Sequence, residues 1–169
     1  MNDTALQLAW MAGFFDGEGC VSLAKCTQRK IRASGEVVTY VHFQMMAIVT
    51  QEVEAPIREF QRRFGGKVRR ITSQSNKPHW VWRASGKVGK AALIAMLPYM
   101  RVKAEAAEIA IRTQQLVDDF RAIHPRWNIP IPEHIREAQS LAHIAVRAIN
   151  AGPDKILSEI SEAGSETLQ

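Results

Sequence analysis

The chain has 169 residues, enough for one well-packed domain and few for two. Hydrophobic residues at 46% and charged residues at 23% give the balance of a globular fold, which argues against a disordered or fibrous chain. No apolar run is long enough to span a bilayer, and the N-terminus lacks the basic stretch and apolar core of a secretory signal. The expectation is a cytoplasmic protein, or one of an organelle matrix, with no membrane partner. Cys20 and Cys26 fall six apart on one predicted strand, too far to bridge, and no C-x-x-C pair exists, so neither a disulfide scaffold nor structural zinc is expected. The net charge of +5 is uneven: residues 1–103 carry 16 Lys+Arg against 7 Asp+Glu, and residues 104–169 carry 6 against 10. A basic first part and an acidic last part suggest one face that meets a polyanion, of which nucleic acid is the simplest.

Asn2, Asp3 and Thr4 are all suitable N-caps, so a first helix is predicted from Ala5 to about Phe15. Trp10, Met11, Ala12, Gly13, Phe14 and Phe15 leave it no polar face, which predicts burial all round. Ala9, Gly13 and Gly17 recur at four-residue spacing, a small-residue stripe along which a second helix could approach closely. Asp16 and Glu18 then stand at the exit of this apolar element.

Gly19–Lys25 alternates as a strand, with Val21 and Leu23 on one face and Cys20, Ser22 and Ala24 on the other. A polar, basic stretch follows (Lys25, Arg29, Lys30, Arg32), read as an exposed hairpin tip turning at Ser34-Gly35. Residues 37–50 form the longest strand, with Val41, Phe43, Met45 and Ala47 opposite Tyr40, His42, Gln44, Met46 and Ile48. A hairpin of this length extends beyond a small core. Residues 51–64 place Val53, Ile57, Phe60 and Phe64 at helical spacing, and Gly65-Gly66 ends that helix. Two short strands come next, 67–72 and 79–84, separated by an SQSNKP turn. Lys67, Arg69 and Ile71 share one face of the first, and Trp80 and Trp82 share a face of the second, read as core. Helices are predicted at 91–97, ended by Pro98, and at 104–123, with Ile109, Leu116, Phe120 and Ile123 as the packing stripe. After the proline-rich HPRWNIPIP linker, helices are expected from 133 to about 149 and again, briefly, after Gly152-Pro153. The result is a single α+β domain over 1–169 in the order α-β-β-α-β-β-α. Its core spans about 5–123, its C-terminal helices span about 133–162, and its four strands can join one antiparallel sheet.

Met11-Ala12-Gly13-Phe14-Phe15-Asp16-Gly17-Glu18-Gly19 resembles the LAGLIDADG motif of homing endonucleases in register over all nine positions. Ala12, Gly13, Asp16 and Gly19 are identities. Glu18 replaces the motif's metal-binding Asp, which keeps the charge and adds one methylene. Two further pieces follow in the right order. Val49-Thr50-Gln51 is similar to the family's strand end with its pocket Gln, and Tyr99-Met100-Arg101-Val102-Lys103 to its stretch with a pocket Lys. A basic position found early in the second helix of some relatives is Ala55 here.

The resemblance, which covers about residues 5–123, implies an endonuclease fold with a four-stranded DNA-binding saddle. It implies hydrolysis of phosphodiester bonds in double-stranded DNA, with Glu18, Gln51 and Lys103 as catalytic residues. Glu18 and the Gly17 carbonyl would be the hard oxygen ligands of Mg²⁺. One motif per chain implies a homodimer joined along Ala9, Trp10, Gly13 and Gly17 and a long, near-palindromic target. DNA contacts are expected from Ser22, Lys25, Arg29, Lys30 and Arg32 on the first strand and tip. They are also expected from Tyr40, His42 and Gln44 on the second strand, and from Lys67, Arg69, Arg70, His79 and Arg83 on the third and fourth. Such proteins are encoded in introns or similar mobile elements. Two other functions fit the same resemblance: an RNA maturase that binds its host intron RNA, and an inactive DNA-binding regulator.

Overall fold

A computed structural model describes residues 3–72, 77–126 and 129–151. The Asn2 cap, residues 73–76 of the SQSNKP turn, and the short helix predicted after Gly152-Pro153 lie outside the described residues, as does the side chain of Lys30. The elements run α1 (Asp3–Glu18), β1 (Gly19–Ile31), β2 (Val37–Gln51), α2 (Glu54–Phe64), β3 (Lys67–Ile71), β4 (His79–Ser85), α3 (Gly86–Met96), a 3₁₀ turn (Leu97–Tyr99), α4 (Ala104–Ile123) and α5 (Glu133–Ala151). No helix among the described residues is long and apolar enough to cross a membrane.

The four strands form one antiparallel sheet in the order β1-β2-β4-β3. Val21 and Leu23 of β1, Met45, Ala47 and Val49 of β2, and Trp82 and Ala84 of β4 point to one side of it. There they meet Met11, Ala12 and Phe15 of α1, Ile57 and Phe60 of α2, Leu93 and Met96 of α3, and Ala106, Ala107 and Ala110 of α4 in a single core. Among the described residues, no helix covers the opposite face over most of its length. The predicted strand faces therefore hold throughout, as does the reading of Trp82 as core; its Nε1–H donates to the Gly65 carbonyl at 2.8 Å.

Several boundaries differ for identifiable reasons. β1 runs six residues past Lys25, because the basic stretch pairs residue for residue with β2 as far as Ile31↔Val37. Cross-strand hydrogen bonding overrides the polar composition there. The tip is only the Arg32–Glu36 turn, with Gly35 at φ +84°. α1 continues through Asp16, Gly17 and Glu18 instead of stopping at Phe15. It is also not buried all round: Met11, Ala12 and Phe15 are buried, while Leu6 and Trp10 are 48% and 46% exposed and Gly13 and Gly17 are open. α2 begins at Glu54, leaving Val53 outside it and 59% exposed. α3 begins at Gly86, five residues early, because Gly89 packs directly on β4; a Cβ there would lie 2.7 Å from the Ala84 carbonyl oxygen. In α4 the bounds are as predicted but the face is not. Ala106, Ala107, Ala110 and Thr113 are buried, whereas Leu116 and Ile123 are 45% and 74% exposed. Of the predicted stripe, Ile109 packs against the core; the closest approach is along the alanines.

Candidate active site and nucleic-acid interface

The last turn of α1 is tied to the segment before α4 by two sets of bonds. Asp16 Oδ2 accepts the Arg101 backbone N–H at 2.6 Å, and Asp16 Oδ1 accepts that of Lys103 at 2.9 Å. In return, Lys103 Nζ donates to the Asp16 carbonyl. Burial alone would push the Asp16 carboxyl up. The amides of Arg101, Lys103 and Val102, with the Lys103 charge, outweigh it and hold the carboxyl below its ordinary value. Asp16 is thus occupied as a tether, which leaves Glu18, exposed at the end of the same turn, as the available carboxylate.

The β1–β2 register starts at Gly19↔Val49, so Gln51 lies just beyond the ladder, beside the end of α1. Gln51 Oε1 accepts the Glu52 N–H at 2.7 Å, which leaves its Nε2 as a donor. Lys103 also stands near Cys20: burial pushes that thiol up, and the lysine's charge partly opposes the shift. Gly17, Glu18, Gln51 and Lys103 are therefore gathered at one end of α1 although the sequence separates them by up to 86 positions. Among the described residues no three His, Cys, Asp or Glu side chains cluster as a metal site. One chain offers a divalent cation the Glu18 carboxylate and the exposed Gly17 carbonyl, hard oxygen donors suited to Mg²⁺ but too few to enclose it.

Alternation along the paired strands sorts the predicted DNA contacts. Ser22, Tyr40, His42, Gln44, Arg83, Lys67, Arg69 and His79 occupy the face turned away from the core helices. Gln44, Lys67, Arg69 and Arg83 also line one concave depression of about 520 Å³, with Met46, Ile71, Val81 and Ser85. Those four were not among the sequence candidates, although the two-residue period that found Gln44 also marks Met46. Three candidates fall on the wrong side. Lys25 pairs with Phe43, Arg29 is four residues further along at the same parity, and Arg70 pairs with Trp80, so all three share the helix-bearing face. Their charge suggested a groove contact; their position in the pleat excludes it. Arg32 lies in the tip turn and is ion-paired to Glu36 at 2.8 Å.

The fold that carries this site recurs in solved structures. The homing endonuclease I-CvuI in complex with its target Sro1.3, in 2 mM Ca, superposes with a TM-score of 0.63 at 18% identity, over 89% of this chain and 85% of that one. The same enzyme with the I-CreI target C1221 in 2 mM Mg, its DNA not cleaved, gives 0.62 at 17% identity over 95% and 96%. The chain has the LAGLIDADG homing-endonuclease fold. The LAGLIDADG endonuclease I-GzeII, in complex with a DNA target, gives 0.52 at 13% identity over 83% of this chain but 43% of its own. No protein-family model and no curated relative matches the sequence. Within the LAGLIDADG fold, the nine-residue match occupies the second half of α1 and the first residue of β1, ending where the tethered turn presents Glu18.

Proposed function

We propose that this protein is a site-specific, divalent-metal-dependent DNA endonuclease that works as a homodimer on a long, near-palindromic duplex. The observation that carries this reading is the tip of α1, where an unengaged carboxylate, a tethered lysine and a glutamine amide meet beside a concave cationic sheet. Two features support the second copy. The stripe Leu6, Trp10, Gly13, Gly17 is bare in the single chain, and an apolar strip of this kind marks an interface. I-GzeII, of which this chain matches less than half, is long enough to hold a second such unit. Two copies joined along α1 would bring both Glu18 side chains to the two-fold axis.

Glu18 and the Gly17 carbonyl of both copies would hold Mg²⁺, which when bound supplies positive charge where phosphodiester hydrolysis accumulates negative charge. Gln51 Nε2 orients the attacking water. The Lys103 ammonium, fixed by the Asp16 carbonyl, stabilises the charge that develops on the phosphate. The concave residues hold the duplex: Lys67 neutralises phosphates, Arg69 and Arg83 suit guanine edges, and Gln44 suits adenine. Hosting in an intron would fit this activity, with cleavage at the uninterrupted site.

The test is a randomised palindromic duplex library incubated with the protein and Mg²⁺. The native chain is expected to cut a narrow subset. Glu18→Gln should lower the rate on those sites by 10²-fold or more, on the order of losing one transition-state contact, while binding in Ca²⁺ persists. Cutting by Glu18→Gln at the native rate would overturn the assignment.

A further inference from the structure

Arg70, misplaced for groove contact, has a specific neighbourhood. Trp80 pairs with Gln51 on β2 and with Arg70 on β3, so Gln51, Trp80 and Arg70 form a row across three strands on one face. Above the row, the Arg58 guanidinium of α2 lies 5.4 Å from the Trp80 ring centroid. Two bonds pin it there: Arg58 Nε donates to Glu54 Oε1 at 2.8 Å and Nη1 to Gln61 Oε1 at 2.9 Å. Arg58 has five donor hydrogens, and these bonds use two of them. Its side chain remains 43% accessible, and Arg70, the cross-strand partner of Trp80, is exposed. A guanidinium stacked on indole and held by two ties has already lost most of the rotamer freedom that phosphate binding costs. The row begins at Gln51, the candidate water-positioning residue, and leads away from the end of α1.

We propose that Arg58 and Arg70, set on either side of Trp80, form a phosphate-binding shoulder that holds the sugar–phosphate backbone of the duplex next to the scissile position. This inference rests on the DNA endonuclease reading and adds a contact outside the concave face. The shoulder touches backbone only, so it contributes affinity and register without sequence preference.

The experiment measures binding of the full chain to a mixed-sequence 30-base-pair duplex in Ca²⁺ over a series of salt concentrations. Each phosphate contact contributes about 0.9 to the slope of log K against log salt. Each substitution removes one contact from each subunit of the dimer, so Arg58→Gln and Arg70→Gln should each lower the slope by about 1.8, and the double variant by about twice that. Arg58→Lys should keep most of the slope, and Arg112→Gln, on the far α4 surface, should leave it unchanged. Arg70 is on an exposed edge strand, so its variant tests the shoulder even if Arg58→Gln disturbs α2. Unchanged slopes for both glutamine variants, with Lys67→Gln lowering the slope, would overturn the shoulder and spare the endonuclease. A native chain that binds no duplex would overturn both.

Discussion

Asp16 is the residue on which the site's geometry turns. Its side chain accepts amides that begin the approach to α4, and its carbonyl takes the Lys103 ammonium, so acid tip and cation are held as one unit. Because its folded-state carboxyl is held below the ordinary 3.8, its contribution to stability is present above that value. As pH falls from there through the folded value, the contribution is lost. Asp16→Asn should therefore be destabilised by about 1 kcal/mol at neutral pH, in the range of a lost helix cap, and by progressively less in acid. Urea unfolding of both proteins from pH 7 to pH 2 checks this: the two stability curves should converge as the aspartate is protonated. Parallel curves would mean that Asp16 contributes through something other than its charge.

Among the elements, the α2–β3 connection is constrained twice over, in backbone angle and in space. Gly66 has φ +86°, and a Cβ there would stand 2.9 Å from the Arg83 carbonyl oxygen and 3.0 Å from Trp82 Nε1. Gly66→Ala combines left-handed strain with that clash and should cost about 2 kcal/mol, read as a lower denaturant midpoint at unchanged m. This glycine pair was legible in the sequence, as were the strand faces and the bounds of α4, because each depends on local period and turn chemistry. The α4 packing face was not. Leu116 and Ile123 are larger and more apolar than Ala106 and Ala110, yet the helix docks by its alanines, since close approach to neighbouring elements decides the face. The tether from Asp16 to Arg101 and Lys103 spans 85 and 87 residues, and no local pattern encodes it. Resemblance supplied the site residues Glu18, Gln51 and Lys103. The two-residue period already separated Arg69 from Arg70; the structure supplied which of the two faces carries the helices.

For the whole molecule, the bare side of α1 is the feature that asks for a second copy. Nothing lies within 4 Å of a Cβ built at Gly13 in the single chain, so a large side chain there does not disturb the monomer's own packing. Gly13→Arg should fold with a native circular dichroism spectrum, sediment as a monomer at micromolar concentration and lose cleavage. A variant that remained dimeric would place the two-fold axis elsewhere. Along the β1 edge of the sheet, α5 does a quieter service. Asn150 Nδ2 donates to the Val21 carbonyl at 2.8 Å, and His143 Nδ1 lies 2.5 Å from that of Leu23, its ring 5.6 Å from Phe43. Those two oxygens sit on the outermost strand, where a stray extended peptide would otherwise find a ready template. With them taken, an added strand would lose two of its acceptors at that rim, which lets the sheet stay long and half uncovered with less tendency to recruit its neighbours into a fibre.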